Sequence, residues 1–312
     1  VTRPLTHPTV VAGVDIGGTT TQVVLCTPDL AVVAHTQIPT PAAQGGPAMI
    51  RAALDALRRL LGQSPRRLAG VGVGAAGVVD TATGRVLVAS DSFRDWAGFP
   101  VTATIEAELG VPAFLDNDVN AFLRGEVAKG AVQGERDVLG ITLGTGVGGA
   151  LCLGGTLLDG AHGAAGEIGH IPGFGDLPCT CGGRGHLETL ASGRAVATHY
   201  ARRTGHRTTA RHIAAAAENG DADARAVFHA AGTAVARAVL ITAGLLDVTT
   251  VVLGGGLTHA WHLLHPAIRQ ALEAEPPVSA QPIRLERTRL AGHAAAIGAA
   301  CLAGPRPAPV GA

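Results

Sequence analysis

Twice along this chain a run of β-branched and aliphatic residues meets a glycine-rich turn and resumes as a second such run. Val10–Ile16 and Thr21–Thr27 flank Gly17-Gly18-Thr19-Thr20, while Val138–Leu143 and Gly149–Leu153 flank Gly144-Thr145-Gly146-Val147-Gly148. Apolar runs broken by glycine turns predict hairpins. Two halves that open in the same way point to a duplicated α/β architecture with a cleft between them. The remaining pattern predicts strands at 31–37, 68–74, 113–116, 249–253 and 282–286. Helices are predicted at about 47–61, 101–109, 222–246, 259–273 and 292–302. Asp118 is expected to cap a further helix that places Val119, Phe122, Leu123 and Val127 on one face. The stretch from Gly304 on carries three prolines and is expected to fray.

Composition narrows the function classes. The 312 residues are 47% hydrophobic but only 3% aromatic, with 44 glycines, so the core must be built mainly from Ala, Val and Leu between many tight turns. A formal net charge of zero gives no electrostatic case for nucleic acid or an anionic membrane as partner. Lys129 is the single lysine among 24 basic residues, which excludes a P-loop ending in Gly-Lys-Ser/Thr. Five cysteines without regular spacing argue against a disulfide framework and for a reducing, cytoplasmic setting. Neither an apolar signal core near Val1–Thr9 nor an uninterrupted membrane-spanning run is expected.

Chemistry concentrates in a few segments. Gly166-Glu167-Ile168-Gly169-His170 runs on to Cys179-Thr180-Cys181-Gly182-Gly183-Arg184-Gly185-His186-Leu187-Glu188, a stretch too rich in Gly and Pro for a helix. His170, Cys179, Cys181 and His186 are the donor types a tetrahedral zinc site prefers, so a metal would clasp the loops carrying Glu167 and Glu188. Asp15 stands at the mouth of the first glycine turn, where backbone N–H groups can approach an anion; an ordinary hairpin is the competing reading. With Gly144–Gly149 and Gly254-Gly255-Gly256, three strand-end glycine clusters point to a nucleotide held by two domains. Asn117-Asp118-Val119-Asn120 ends a strand and starts a helix. Asp118 could take a hydroxyl proton beside Asn117, although helix capping alone explains the residue types, and the two roles are compatible.

These segments, in this order, resemble the ROK family (repressor, open reading frame, kinase) of sugar kinases and sugar-responsive repressors. The likeness runs from Asp15-Ile16-Gly17-Gly18-Thr19 through Val71–Asp80, Asn117-Asp118, Leu143–Gly146, Gly166–His170 and Cys179–Glu188 to Gly254–Leu257. It implies an α/β, actin/hexokinase-like (ribonuclease H-like) fold of two domains with an interdomain cleft. Residues 1–117 with 293–312 would form the smaller domain, and 118–292 the larger one, with a zinc-binding segment at 166–188. By the same resemblance Asp118 is the catalytic base, and Gly77, Asn117, Glu167, His170 and Glu188 join it in binding the sugar. Asp15, Gly17, Gly18, Thr19 and Thr20 match a phosphate and magnesium loop, Gly144, Thr145 and Gly146 a second phosphate loop, and Gly255 and Gly256 a turn against adenosine. His170 would face zinc through one ring nitrogen and the sugar through the other.

The implied activity is an ATP- and Mg-dependent hexose 6-kinase with structural zinc, acting as a cytoplasmic homodimer. Glucose is the leading substrate, with N-acetylglucosamine, N-acetylmannosamine and kanosamine as alternatives and polyphosphate as an alternative donor. A repressor of the same family would carry a helix-turn-helix before the first strand, where only about ten residues stand. Three positions depart from the pattern. His186 replaces a usual cysteine, so a loop role for His186, with zinc absent or held by three ligands, stays an open alternative. Ala76 stands where proline is common, and Gln22 where lysine is.

Overall fold

The computed structural model describes residues 8–90 and 92–304, so the prolines beyond Gly304 and most of the N-terminal segment lie outside the described residues. The chain divides into two compact units, 1–133 with 290–312 and 134–289.

In the first unit β1 (Thr9–Ile16), β2 (Thr20–Cys26) and β3 (Val32–Pro39) form an antiparallel meander. Helix α1 (Gly46–Gly62) follows, then β4 (Arg67–Ala75), the small hairpin β5 (Val78–Asp80) and β6 (Arg85–Val88), α2 (Val101–Leu109), β7 (Ala113–Asn117) and α3 (Asp118–Lys129). The sheet order is β3-β2-β1-β4-β7, with β4 and β7 parallel to β1. Strand β1 is apolar on both faces because both are covered. Val10, Ala12, Val14 and Ile16 share a core with Met49, Leu54 and Leu57 of α1, while Val11 packs with Ala296 and Ala300 of the last helix, α9 (Ala294–Ala303). Many glycines here serve close packing rather than turns. At Gly125 of α3 and Gly298 of α9, a Cβ would run into the backbone of the facing helix.

The second unit repeats the plan. Strands β8 (Val138–Leu143), β9 (Val147–Leu153), β10 (Thr156–Leu157), β11 (Thr250–Gly254) and β12 (Arg284–Arg287) are ordered β10-β9-β8-β11-β12. The first three are again antiparallel and the last two again run parallel to β8. Both predicted hairpins are therefore present, each grown into the same five-stranded arrangement. The region between 188 and 221, unassigned from sequence, holds α4 (Glu188–Ala191), α5 (Gly193–Thr204) and α6 (Ala210–Glu218). Ser192 and Thr209 cap α5 and α6, and a left-handed Gly205 stops α5. Helix α7 (Ala222–Leu246) is long and apolar enough by length and composition to cross a membrane. Its Phe228, Val235 and Val239 are nevertheless buried in this unit's core with Leu264 and Ile268 of α8 (Trp261–Ala274).

Two expectations change. The unit boundary falls after 133 rather than after 117, because α3 packs along α9 and over β4 within the first unit. Asp118 is not the cap of α3. Asn117 has the extended backbone of a cap residue and its side chain accepts from the N–H groups of Val119 and Asn120.

Candidate active site

In the first unit, the three parallel strands β1, β4 and β7 end together in two register rows. Asp15 pairs with Gly74 and Gly74 with Asp116; one step on, Ile16 pairs with Ala75 and Ala75 with Asn117. Asn117 Oδ1 accepts from Val119 N at 2.8 Å and Asn120 N at 3.2 Å, while its Nδ2 donates to the Gly77 carbonyl at 2.9 Å. The cap thus ties the turn at 75–77 to the start of α3. The Trp96 indole, fully buried, donates to the Ala76 carbonyl at 3.2 Å and pins the same turn. Asp118 is the first residue of α3, and its Oδ1 accepts from Val119 N at 3.0 Å.

Beneath this turn lies a polar cluster. Asp116, 1% exposed, accepts from Arg124 at 2.7 Å, from Asn120 Nδ2 at 3.0 Å and from the Asn117 N–H at 2.8 Å. Asp15 keeps some solvent contact at the strand end. Desolvation by its neighbours, with the charge of Asp118 added, holds its carboxyl well above the usual carboxylate range. A carboxyl whose ionisation is opposed by a neighbouring carboxylate suits a site that receives a cation. The first glycine turn closes with Gly17 N donating to the Thr20 carbonyl at 3.1 Å, leaving Gly18 and Thr19 exposed.

In the second unit, the β8–β9 turn holds Gly144, Thr145 and Gly146, with Gly144 N donating to the Gly146 carbonyl at 2.9 Å. Glu188 starts α4 and is 7% exposed. Its Oε2 accepts from Val147 N at 3.0 Å and lies so close over Gly146 that a Cβ there would collide with the carboxylate. Glu167 precedes a single 3₁₀ turn, Ile168–His170. Burial raises its carboxyl above the usual range, the nearby His170 opposes the rise and the charge of Glu188 adds to it. Gly255 and Gly256 follow β11 at the start of a 3₁₀ turn, Gly255 with φ +84°.

The four expected metal donors come together: the ligand atoms of His170, Cys179, Cys181 and His186 all lie within 4.8 Å of one another. His170 Nδ1 is 3.6 Å from Cys179 Sγ, and His186 Nδ1 is 3.2 Å from Cys181 Sγ. Donors bound to zinc at ordinary lengths stand roughly 3.5 Å apart around a tetrahedron, so this set fits zinc with little movement. His186 lies inside the set with the other three donors. His170 also turns Nε2 toward Glu167 Oε2 at 4.0 Å, so one ring faces both the thiolates and a carboxylate. Burial pushes the Cys179 thiol up, the condition a bound cation reverses.

Within each unit the structure gathers the expected residues: Asp15, Gly77, Asn117 and Asp118 in the first, Glu167, His170, Glu188 and the donor set in the second. Sequence reasoning missed their supports. Asn120 and Arg124 fall four residues apart on α3, a spacing that could have been read as one helix face, whereas Asp116 comes to them from β7. Thr180 and Arg194, which reach Glu188 Oε1 at 2.7 and 3.4 Å, carry no comparable signal.

Known proteins similar to this chain include sugar kinases. A glucokinase of Halalkalibacterium halodurans is 36% identical over 281 residues, covering 84% of each chain. An N-acetyl-D-glucosamine kinase of Salmonella paratyphi A is 30% identical over 292 residues, covering 89% of this chain and 93% of its own. Among solved structures, a ROK family glucokinase from Streptomyces griseus in complex with glucose and AMPPNP is similar with a TM-score of 0.83 at 30% identity, over 94% of this chain and 98% of that one. The fold is accordingly the actin/hexokinase-like one. With the family model matching residues 11–305, nearly the whole length, the chain belongs to the ROK family.

Proposed function

We propose that this sugar kinase transfers the γ-phosphoryl group of ATP to the 6-hydroxyl of a hexose, with glucose as its principal acceptor. Asp118 takes the proton of the 6-hydroxyl as that oxygen bonds to the γ-phosphorus, and the bond to the ADP oxygen breaks. Asn117 and the Gly77 carbonyl, with Glu167, His170 and Glu188, hold the ring hydroxyls. The glycine turns at Gly17–Thr20 and Gly144–Gly146 offer N–H groups to the phosphates, and Gly255-Gly256 lies against the adenosine. Asp15 would hold magnesium, which would supply charge neutralisation to the phosphates. Phosphoryl transfer depends on positioning and electrostatics more than on covalent chemistry, so one base and two phosphate loops suffice. Zinc on the His170, Cys179, Cys181 and His186 set would hold the sugar-binding loops in shape. All five cysteines are free thiols, in keeping with work in a reducing compartment, and the homodimer implied by the resemblance belongs to the same proposal.

The observation that carries this reading is the placement of Asp118. It opens a capped helix at a strand end and interacts with an Asp15 whose carboxyl is held above its usual range. The second reading, an amino-sugar kinase, draws on the 30% identity to the N-acetyl-D-glucosamine kinase. A panel of hexoses in a coupled ADP-release assay separates them, with ATP and polyphosphate offered as donors. We expect glucose with ATP to give the highest kcat/KM. A higher value for N-acetylglucosamine, N-acetylmannosamine or kanosamine replaces glucose in the proposal, and no turnover of any hexose removes it.

A further inference from the structure

Thr180 sits between two residues of the metal-donor set, in a loop that nothing about donor chemistry requires to be specific at that position. Cys179 N donates to the Gly183 carbonyl at 2.8 Å and Gly182 N to the Cys179 carbonyl at 3.1 Å, so 179–183 is a tight turn with Thr180 at its corner. From there its hydroxyl donates to Glu188 Oε1 at 2.7 Å. The other carboxylate oxygen, Oε2, is already taken by the Val147 N–H. The remaining partner of Oε1 is Arg194 at 3.4 Å, whose side chain is half-exposed and whose contact is long. Thr180 therefore makes the shortest contact on that oxygen, and with the Val147 N–H on the other it sets the plane of the carboxylate. Glu188 is nearly buried, so water competes poorly for that oxygen. The β-branched side chain of Thr180 has few rotamers, so its hydroxyl direction follows its backbone closely.

We propose that Thr180 is a positioning residue: it couples the Cys179–Cys181 turn to the orientation of the Glu188 carboxylate and so sets hexose affinity. Drawing the two thiolates together fixes the backbone on both sides of Thr180, and the hydroxyl passes that order to Glu188. A carboxylate has about four acceptor positions, so a hydrogen bond from Thr180 leaves capacity for sugar hydroxyls. This inference rests on the reading of Glu188 as a sugar-binding residue.

The test is titration calorimetry of the zinc-loaded enzyme with glucose, or with the best acceptor from the hexose panel, in T180V, T180S, E188Q and T180V/E188Q. Thr180→Val keeps shape and removes the hydroxyl at an exposed position, so folding is preserved. We expect T180V to weaken hexose binding roughly tenfold, the low end for a hydrogen bond to a charged group. Zinc content should be unchanged, KM for the hexose should rise, and KM for ATP should stay level. T180S should remain within about twofold of wild type, and T180V should add nothing in the E188Q background. Wild-type affinity in T180V, an equal loss in T180S, loss of zinc in T180V, or a full further loss in the double variant overturns the proposal. If E188Q itself binds the hexose normally, the reading of Glu188 fails and the coupling falls with it; if E188Q loses binding and T180V does not, Thr180 alone is excluded.

Discussion

In the first unit, Asn117 and Asp118 stand where β7 runs into α3, held mainly by regular structure: a helix cap, a strand register and the Asp116–Arg124 pair beneath, with one further bond to the Gly77 carbonyl of the turn. In the second unit, Glu167 and Glu188 are carried on either side of a Gly- and Pro-rich stretch with only a 3₁₀ turn and a short α4 for support. The two sheets have the same order and the same strand directions, so the difference lies in what grew on them. Where an acidic residue ends a strand and opens a helix, the backbone itself positions the side chain. Where it lies on turns, an added cross-link has to replace the missing ladder, and the His and Cys donors stand where such a cross-link is needed.

The sharpest way to break this comparison is at Asp118. Asp118→Asn should keep hexose affinity within a few-fold and lose about 10²–10⁴ in kcat, the usual worth of a general base; near-normal turnover would take the base out of the first unit altogether. The supports come next. Asp116→Ala leaves Arg124 without its carboxylate beneath the Asn117 cap and should cost about 2–4 kcal/mol in urea unfolding. That is somewhat below the full penalty for a broken buried pair, because Arg124 keeps 30% side-chain exposure. A cost under about 0.5 kcal/mol, typical of surface positions, would show that the cluster does not hold the turn. The smallest global effect should come from chelating the metal. Amide exchange should speed by at least about tenfold at 166–188, while β1, β7 and α3 keep their protection. Uniform deprotection of both units would mean that the clasp supports the whole fold rather than one loop system.

How much of this was legible depends on how far apart the cooperating residues lie. Asn117-Asp118 could be read because cap, base and helix start occupy neighbouring positions; only the identity of the capping residue shifted by one. The donor set could be read because its four members fall within 170–186 and their chemistry is selective. Trp96, 20 residues from the Ala76 carbonyl it holds, gave no sign of that bond. Thr180 was skipped over for a different reason. It is only 8 residues from Glu188, but the direction of a hydroxyl on a turn depends on backbone angles that residue types do not specify. Helices α4 to α6 were missed although Ser192, Thr209 and Gly205 mark their ends, because segments of 4, 12 and 9 residues offer few turns over which a helical period can be read.

By itself the sequence determined what short-range chemistry controls: two hairpins at glycine turns, a long apolar helix at 222–246, a carboxylate at a helix start, and a set of soft metal donors. Only the tertiary structure decided which distant segments meet. Pairing β1 with β4 and β4 with β7 is parallel and joins residues roughly 60 and 40 positions apart along the chain. Placing α9 against β1 and α3 returns the end of the chain to its start. The glycines show the division most plainly. As a count they announced turns, yet Gly125 and Gly298 are there because two helices touch backbone to backbone. A turn is set by the residue's own φ and ψ, but a close contact is set by whichever partner the fold brings against it.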